Sequence, residues 1–455
     1  MKEQVIAIFD IGKTNKKLLL FDTDLKLVSE SEEKFGQIRD DDGFECENIE
    51  LIESWIKDSI RKLLHSDLYD LKALNFTTYG ATLVYLDANR KRLTPVYNYL
   101  KPVDDKIPEK LYNKYGGKNE FCRCTASPAL GMLNSGIQAL WLKTVKPEIF
   151  SRVSVILHFP QYFSYQISGN IYSEPTSVGC HTSLWDFDRM NYHQWVRDEG
   201  FLMPEPAAVN TVNEVIIDGK KIKVGIGIHD SSASLAPYFN LSENKFLLVS
   251  TGTWCINMNP FNEEKLTSEQ LGHDCLCYLS ITGQPVKSSR LFLGDMHEKG
   301  IKLLSSYFKI HPESFNLIKP DKRLLKKFWE KFGDRKIFFA ADDKSHSFNE
   351  EIDLFIFDNF VEGYHQLLIE LCDLTVSSVN MVITEEDDTD ELFITGGFSK
   401  NDLFLKLLAS SFPSKKVYTS EVSNSTALGA AMVIHHCLGK EKKPEINMGL
   451  KEIVI

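Results

Sequence analysis

The stretch VIAIFDIGKTNKKLLLF, residues 5–21, decides the fold that the sequence predicts. Two short apolar runs, 5–9 and 18–21, flank a polar loop, and each run has the length and composition of a buried strand. The loop holds Gly12 and three lysines, and Asp10 follows the first run. Such a unit can direct backbone N–H groups and a lysine or threonine at a phosphate, while the acid holds a hydrated Mg²⁺. A surface hairpin with a basic tip is the alternative interpretation.

A later stretch repeats this pattern. FLLVSTGTWCINM, residues 246–258, again places a polar turn, Gly252 and Thr253, between two apolar runs. Two such hairpins about 240 residues apart indicate a duplicated domain. One loop from each half could then grip a polyphosphate across the cleft between the halves.

Composition narrows the class of protein. The 455 residues favour two domains, and 43% hydrophobic with 25% charged residues is ordinary for a globular chain. A net charge of −11 argues against nucleic acid or an anionic membrane as the main partner. No apolar run approaches the roughly 20 residues of a membrane span, and the first residues do not form a signal peptide. Nine scattered cysteines without a C-x-x-C pair predict reduced thiols and a cytoplasmic protein.

A candidate general base follows another apolar strand. Residues 224–228 run directly into His229-Asp230-Ser231-Ser232, and small residues continue to 234. An acid at the end of a strand, before a helix of small residues, is well placed to accept a proton. The alternatives are a simple helix N-cap for Asp230, with Ser231 and Ser232 as further caps, and a core histidine for His229.

A glycine pair marks a candidate nucleotide site. A strand over 392–395 leads into 396–397, after which a helix is predicted. Ser399 and Asp402 have the spacing of a capping box at its start. Bare backbone beside a helix N-terminus lets a flat ring or a ribose lie against it. The small-residue helix predicted over 425–435 suits close packing beneath such a site.

The remaining elements are predicted from periodicity and turn residues. They are a helix over 47–65, a strand over 73–77 leading to Gly80, an irregular segment over 95–117, a polar turn over 284–290, and a helix over 351–379.

Taken in order, these motifs resemble the FGGY family of carbohydrate kinases, within the actin/hexokinase/Hsp70 ATPase superfamily. The matching segments are DIGKTNKK at 10–17, GIHDSSAS at 227–234, STGTW at 250–254, ITGGFSKN at 394–401 and STALGAA at 425–431. The resemblance implies an α/β fold of two actin/hexokinase-like (ribonuclease H-like) domains with a cleft between them. It implies an N-terminal domain over 1–238 with the sugar site, and a C-terminal domain over 239–455 with the adenosine site.

Within the family the chain is similar to rhamnulokinase-like members, and their site residues are carried over position by position. Asp230 becomes the catalytic base, and ATP and Mg²⁺ become the implied cofactors. The implied sugar contacts are Gly80, His229, Ser231 and, by a loose match, Ser289. The implied ATP contacts are Gly12, Lys13, Thr14, Asn15, Lys16, Lys17, Gly252, Thr253, Gly396, Gly397 and Asn401, and the implied metal ligands are Asp10 and Asp230.

Two departures from the rhamnulokinase-like pattern lie on the sugar side. Thr77-Thr78-Tyr79-Gly80 replaces D-T-W-G, and Tyr97-Asn98-Tyr99-Leu100 replaces a YRDxR segment. These changes leave the sugar open and indicate a less characterised branch. The resemblance implies transfer of the γ-phosphoryl group of ATP to a ketose such as rhamnulose, fuculose or xylulose. An ATPase of the same fold or a sugar sensor are the alternatives, and a homodimer is left open.

Overall fold

The computed structural model describes residues 2–241, 243–333, 335–340, 347–349, 352–422, 424–439 and 444–454. Within these ranges the chain forms two seven-stranded sheets and several smaller ones, with helices packed on both.

The N-terminal half contains thirteen of the strands described. They are β1 (Glu3–Ile11), β2 (Lys16–Asp22), β3 (Leu27–Glu33), β4 (Ile38–Arg39), β5 (Glu45–Cys46), β6 (Tyr69–Thr78), β7 (Leu83–Leu86), β8 (Val155–His158), β9 (Trp185–Asp186), β10 (Asn191–Tyr192), β11 (Val212–Ile217), β12 (Lys220–Gly225) and β13 (Ile228–His229). The helices of this half are α1 (Ile49–Leu64), α2 (Lys106–Lys114), α3 (Lys118–Cys124), α4 (Ser135–Val145), α5 (Pro147–Phe150), α6 (Phe159–Ser168), α7 (Pro175–Val178), α8 (Gln194–Asp198) and α9 (Asp230–Leu235), with 3-10 turns at Gly131–Leu133 and Ala236–Asn240.

The C-terminal half continues with the remaining elements. Its strands are β14 (Phe246–Thr251), β15 (Cys255–Asn259), β16 (Cys275–Leu279), β17 (Pro285–Leu291), β18 (Glu391–Gly396), β19 (Lys416–Thr419) and β20 (Lys451–Glu452). Its helices are α10 (Ser268–Gly272), α11 (Leu293–Phe308), α12 (Lys322–Phe332), α13 (Phe360–Asn380), α14 (Asp402–Ser411) and α15 (Ser425–Ile434), with 3-10 turns at Pro312–Leu317, Leu354–Ile356, Gly397–Lys400 and His435–Leu438.

The two large sheets share one arrangement of strands. In the first, the order is β11-β12-β6-β1-β2-β3, and β13 also pairs with β6. In the second, the order is β16-β17-β15-β14-β18-β19-β20. Each opens with an antiparallel hairpin, β1–β2 or β14–β15, whose first strand runs parallel to a later one, β6 or β18. The duplication predicted from the two hairpin sequences is confirmed.

Alternation along β1 shows how the first sheet is covered. The odd-numbered residues from 5 to 11 pack in a cluster with α1 and α6, because successive side chains of a strand point to opposite faces. Ile6 and Ile8 face the other way and pack with residues of α9 and α15. Helix α15 therefore covers the N-terminal sheet, although it follows the strands of the C-terminal sheet in sequence.

The contact between α15 and the N-terminal half is close. A Cβ at Gly429 would lie 1.9 Å from the Ala233 carbonyl oxygen of α9, so a side chain there would collide with backbone. The Asn75 side chain of β6 donates to the Ala430 carbonyl oxygen at 2.9 Å. The predicted boundary at 238/239 falls within the 3-10 turn Ala236–Asn240 and stays a prediction.

Several predicted elements are corrected. The irregular segment over 95–117 contains α2, and the polar turn over 284–290 is wrong because this segment forms β17. The helix predicted from residue 351, which lies outside the described residues, begins at Phe360. The capping box of Ser399 and Asp402 is also wrong. Asn401 caps α14 instead, since its Oδ1 accepts from the Phe404 N–H at 3.1 Å.

Candidate active site

The carboxyl ends of three neighbouring parallel strands bring two acids together. In strand register, Asp10 of β1 lies beside Thr77 of β6, and His229 of β13 lies beside Thr78. Asp230 follows His229 and opens α9. Burial, and next the charge of Asp230, raise the pKa of Asp10 to about 7, while Lys17 opposes the shift. The two carboxylates that sequence reasoning paired are therefore close enough to repel one another.

The three lysines of the first loop have different surroundings. Lys16 is almost fully buried, and its Nζ lies 3.1 Å from Glu47 Oε2 and donates to the Lys13 carbonyl at 3.0 Å. Lys13 Nζ lies 3.1 Å from Glu47 Oε1 and is only partly buried. Lys17 pairs with Glu30 at 2.8 Å. The expectation that all three point at a phosphate therefore does not match Lys16, which faces the interior.

The other residues of the first loop differ in solvent exposure. Thr14 is exposed at the tip, and Gly12 is half-buried where β1 ends. Asn15 is half-buried, and its side-chain oxygen has no hydrogen-bond partner among the residues that the structure describes.

Asp230 is held by its neighbours in α9. Its Oδ1 accepts from the Ser231 N–H at 2.6 Å and from the Ser231 hydroxyl at 3.2 Å, and about a third of its side chain is exposed. His229 Nε2 lies 3.3 Å from the same oxygen. Burial lowers the pKa of His229, so its ring is neutral. A Cβ at Gly80 would lie 2.8 Å from His229 Nε2, so only glycine fits here without moving the ring.

The two departures on the sugar side meet in one place. The rings of Tyr79 and Tyr99 lie edge to face at 6.0 Å. Lys13 Nζ sits 5.2 Å and 5.1 Å from their centroids, and the Tyr79 hydroxyl donates to Glu47 at 3.2 Å. Burial, followed by the charges of Glu47 and Asp230, raises the pKa of Tyr99, so both carboxylates influence this ring. Both altered segments thus surround the same lysine.

Ser289 lies away from this cluster. Its hydroxyl is buried in β17, where it donates to the Ser378 carbonyl at 2.6 Å and accepts from the Asn257 amide at 3.1 Å. Both partners belong to the C-terminal half. Its side chain therefore faces the interior, and its predicted contact with a sugar is not supported by this position.

A pocket in the C-terminal half gathers most of the predicted nucleotide residues there. It has a volume of about 450 Å³, and its lining includes Gly252, Thr253, Gly397 and Asn401. Gly396 plays a different part. It pairs with Thr251 at φ +88°, and a Cβ there would lie 1.7 Å from the Thr251 carbonyl oxygen. Only glycine allows this conformation and this approach of β14 to β18.

Sequence reasoning missed the aromatic side chains of this pocket. Phe292, His297 and Phe315 also line it, and they come from segments without a nucleotide motif. The Asn401 amide donates to the Tyr364 hydroxyl at 2.7 Å, and His297 Nε2 lies 3.3 Å from the same hydroxyl. Burial lowers the pKa of His297 to about 4, so the ring is neutral. This part of the lining is thus aromatic, neutral and hydrogen-bonded, which suits a purine better than a phosphate.

Comparison with known proteins identifies the family of the chain. Residues 5–199 match the N-terminal domain of the FGGY family of carbohydrate kinases, and residues 243–317 and 363–436 match FGGY C-terminal domains. The chain belongs to the FGGY family of carbohydrate kinases. No helix among the residues that the structure describes is long and apolar enough to cross a membrane.

Curated relatives of this FGGY protein are distant. It is 22% identical to a rhamnulokinase of Halalkalibacterium halodurans over 258 residues, 54% of each chain. It is 26% identical to a rhamnulokinase of Mannheimia succiniciproducens over 197 residues, 41% of this chain and 40% of the relative. The aligned part thus spans about half the length of these relatives or less.

Solved structures cover the whole FGGY chain. A carbohydrate kinase from Novosphingobium aromaticivorans superposes with a TM-score of 0.82 at 20% identity, covering 100% of this chain and 94% of the other. A ligand-bound xylulose kinase from Lactobacillus acidophilus gives 0.76 at 17% identity, covering 99% and 93%. The predicted α/β fold of two actin/hexokinase-like domains is confirmed.

Proposed function

We propose that this FGGY protein transfers the γ-phosphoryl group of ATP to a hydroxyl of a ketose, with Asp230 as the general base. The observation that carries the proposal is the meeting of Asp230, Asp10 and the β1–β2 loop at one end of the N-terminal sheet. The names of the relatives, rhamnulokinase and xylulose kinase, support a ketose acceptor.

Asp230 has the geometry of a base for this reaction. The acceptor oxygen attacks the γ-phosphorus, its proton passes to the Asp230 carboxylate, and ADP leaves with the electrons of the broken bond. The two Ser231 donors keep one carboxylate oxygen in place, so the other is free to face the acceptor. The neutral His229 ring and the bare Gly80 form the wall beside it.

The charges around Glu47 assign separate roles to two lysines. Glu47 is a single buried carboxylate that contacts both Lys13 and Lys16. Buried Lys16 is sufficient to neutralise it, so the charge on partly exposed Lys13 remains for a phosphate. We therefore propose that Lys13 contacts the phosphates of ATP. Lys16 instead stabilises the loop through its contacts with Glu47 and the Lys13 carbonyl.

Asp10 and Asp230 fit a hydrated Mg²⁺. Two facing carboxylates, one of them buried with its pKa raised to about 7, form a site where a divalent cation would relieve the repulsion. When bound, this ion would supply positive charge that offsets the charge of the ATP phosphates. The side chain of Lys17 opposes the shift at Asp10 and so keeps that carboxylate ready to ionise.

The nucleotide base is proposed to lie in the C-terminal pocket. Gly397 offers open backbone, since no atom of the described chain lies within 4 Å of the position that a Cβ would take. The second loop, Gly252 and Thr253, lies at the same pocket and would face the phosphates. We retain the proposed domain boundary at 238/239. The β1–β2 loop and the general base Asp230 then belong to the N-terminal domain, and this pocket belongs to the C-terminal domain.

Coupled ADP release with Mg-ATP tests the proposal. The acceptor panel holds rhamnulose, fuculose, xylulose, gluconate and glycerol, and the variants are Asp230→Asn and the surface control Asp58→Asn. We expect turnover on a ketose that is lost only in Asp230→Asn. ATP hydrolysis that is indifferent to every acceptor, or full activity in Asp230→Asn, would overturn the proposal.

A further inference from the structure

A buried carboxylate outside the proposed reaction lies two hydrogen bonds from the backbone that carries the general base. Glu174 is fully buried just before α7. Its carboxylate accepts four hydrogen bonds, from the N–H groups of Thr176 (2.8 Å) and Ser177 (3.0 Å) and from their hydroxyls (2.7 Å and 3.0 Å). Burial raises the pKa of Glu174 to about 7 against these donors, so placing an acid here costs stability.

Thr176 extends this cluster towards the base. Its hydroxyl donates to Glu174, and the same oxygen accepts from the His229 N–H at 3.0 Å. A hydroxyl has one proton to donate, and Glu174 takes it. The lone pairs of the oxygen are thereby directed at His229, whose peptide leads into Asp230. The chain of bonds thus runs from Glu174 through Thr176 to the backbone that carries the base.

The hydrogen bond between the His229 N–H and the Thr176 hydroxyl lies where it can set the orientation of Asp230. The β13 strand that carries His229 is only two residues long and pairs with the end of β6. The hydrogen bond that the His229 N–H donates to Thr176 attaches this short strand to α7 as well. Without it, the His229 N–H would be buried without a partner, and the peptide that aims Asp230 would be held on one side only.

We propose that Glu174 is a positioning residue, which acts through Thr176 and the backbone of His229 to aim the Asp230 carboxylate at the acceptor hydroxyl. This inference rests on the proposed function, because it assumes that Asp230 is the base. A plain helix cap would explain the bonds to Thr176 and Ser177, but it would not require the bond to His229.

Matched variants separate the two roles. Thr176→Val keeps the shape and removes the hydroxyl, Thr176→Ser keeps the hydroxyl, and Ser177→Ala removes a donor to Glu174 but leaves the bond to His229. Turnover is measured with Mg-ATP and with rhamnulose, fuculose and xylulose as acceptors, beside the melting temperature. We expect kcat to fall at least tenfold in Thr176→Val, with both KM values within about twofold, and to recover in Thr176→Ser.

The control decides the outcome. Ser177→Ala should lower the melting temperature while kcat stays within about twofold. An equal loss of kcat in Ser177→Ala, or a lowered melting temperature with unchanged kcat in Thr176→Val, would overturn the inference. If Thr176→Val does not fold, Thr176→Ala replaces it, with the same expected loss of kcat, and unchanged kcat there would equally overturn the inference.

A double variant keeps this inference apart from the proposed function. If Asp230 is the base, Thr176→Val should cost little more in an Asp230→Asn background, because no base remains to be aimed. An undiminished kcat in Asp230→Asn alone would instead refute the proposed function. A full additional loss in the double variant would refute the positioning role alone.

Discussion

Replacing Gly80 with alanine should impair the acceptor side of the reaction through a single collision. The added Cβ would lie 2.8 Å from His229 Nε2 and 3.1 Å from Cδ2, where ordinary contacts begin near 3.4 Å. The ring must therefore move by about 0.6 Å, the difference between 3.4 and 2.8. Gly80 itself does not need a positive φ, so the backbone tolerates alanine and the effect arises at the histidine.

The size of the effect follows from what the ring touches. His229 is buried, and its Nε2 lies 3.3 Å from Asp230 Oδ1, so the displacement is passed to the base. Overpacking of this kind costs about 1–3 kcal/mol of stability. Misplacement of a catalytic group by about 1 Å can cost roughly a hundredfold in rate, so we expect about a tenfold to hundredfold loss of kcat. The KM for ATP should stay within about twofold, because the nucleotide pocket is unaffected.

Steady-state assays on a ketose acceptor measure this loss. Gly36→Ala is the control, since none of the described residues comes within 4 Å of the Cβ that alanine would add there. A cycle with His229→Ala sharpens the test. Once the ring is gone, Gly80→Ala should cost little more than His229→Ala alone. Wild-type kinetics in Gly80→Ala, or fully additive losses in the double variant, would refute the steric reasoning.

Three further changes have distinct expected outcomes. Burial raises the pKa of Glu174 from 4.5 to about 7. The contribution of this group to the free energy of unfolding is therefore fully present below pH 4.5, where the carboxyl group is protonated, and up to about 3 kcal/mol is lost as the pH rises through 7. The melting temperature of the wild type should thus fall relative to Glu174→Gln between pH 5 and 8, and parallel curves would contradict this. Asn401→Ala should lower stability by about 1 kcal/mol through loss of the α14 cap and raise the KM for ATP, whereas Asn401→Asp should keep the cap in denaturant unfolding. Ser289→Ala should cost about 1–3 kcal/mol in the same assay and leave the acceptor KM unchanged, and a raised KM would restore its predicted sugar contact.

Local sequence predicted the parts of the molecule that local physics controls. The β1–β2 hairpin and α1, which lies within the helix predicted over 47–65, follow from periodicity and turn residues within a short window. The start of β2 was harder to predict, because Lys16 is typical of a loop residue. It becomes a strand residue only when Glu47, 31 positions later, neutralises it in the interior. A buried ion pair between distant residues leaves no local signal.

The other differences have separate causes, of which a long-range polar partner is the first. Ser288 and Ser289 read as a turn, yet they belong to a strand, and the Ser289 hydroxyl is satisfied by Ser378, 89 residues away. Asn401 displaced Ser399 as the helix cap, although both residue types are good caps. The aromatic pocket residues come from separate segments, so no single motif could gather them.

The placement of α15 has a consequence for how the protein is made. Residues 425–434 cover one face of the N-terminal sheet. The hydrogen-bond partner of the Asn75 side chain, the Ala430 carbonyl, lies 355 positions further along the chain. During translation the first half therefore emerges with that face uncovered until the ribosome has passed residue 434. At about 5–20 residues per second this interval lasts tens of seconds. We therefore expect the N-terminal sheet to be prone to aggregation during this interval, and a fragment ending before α15 should be recovered mainly as aggregate.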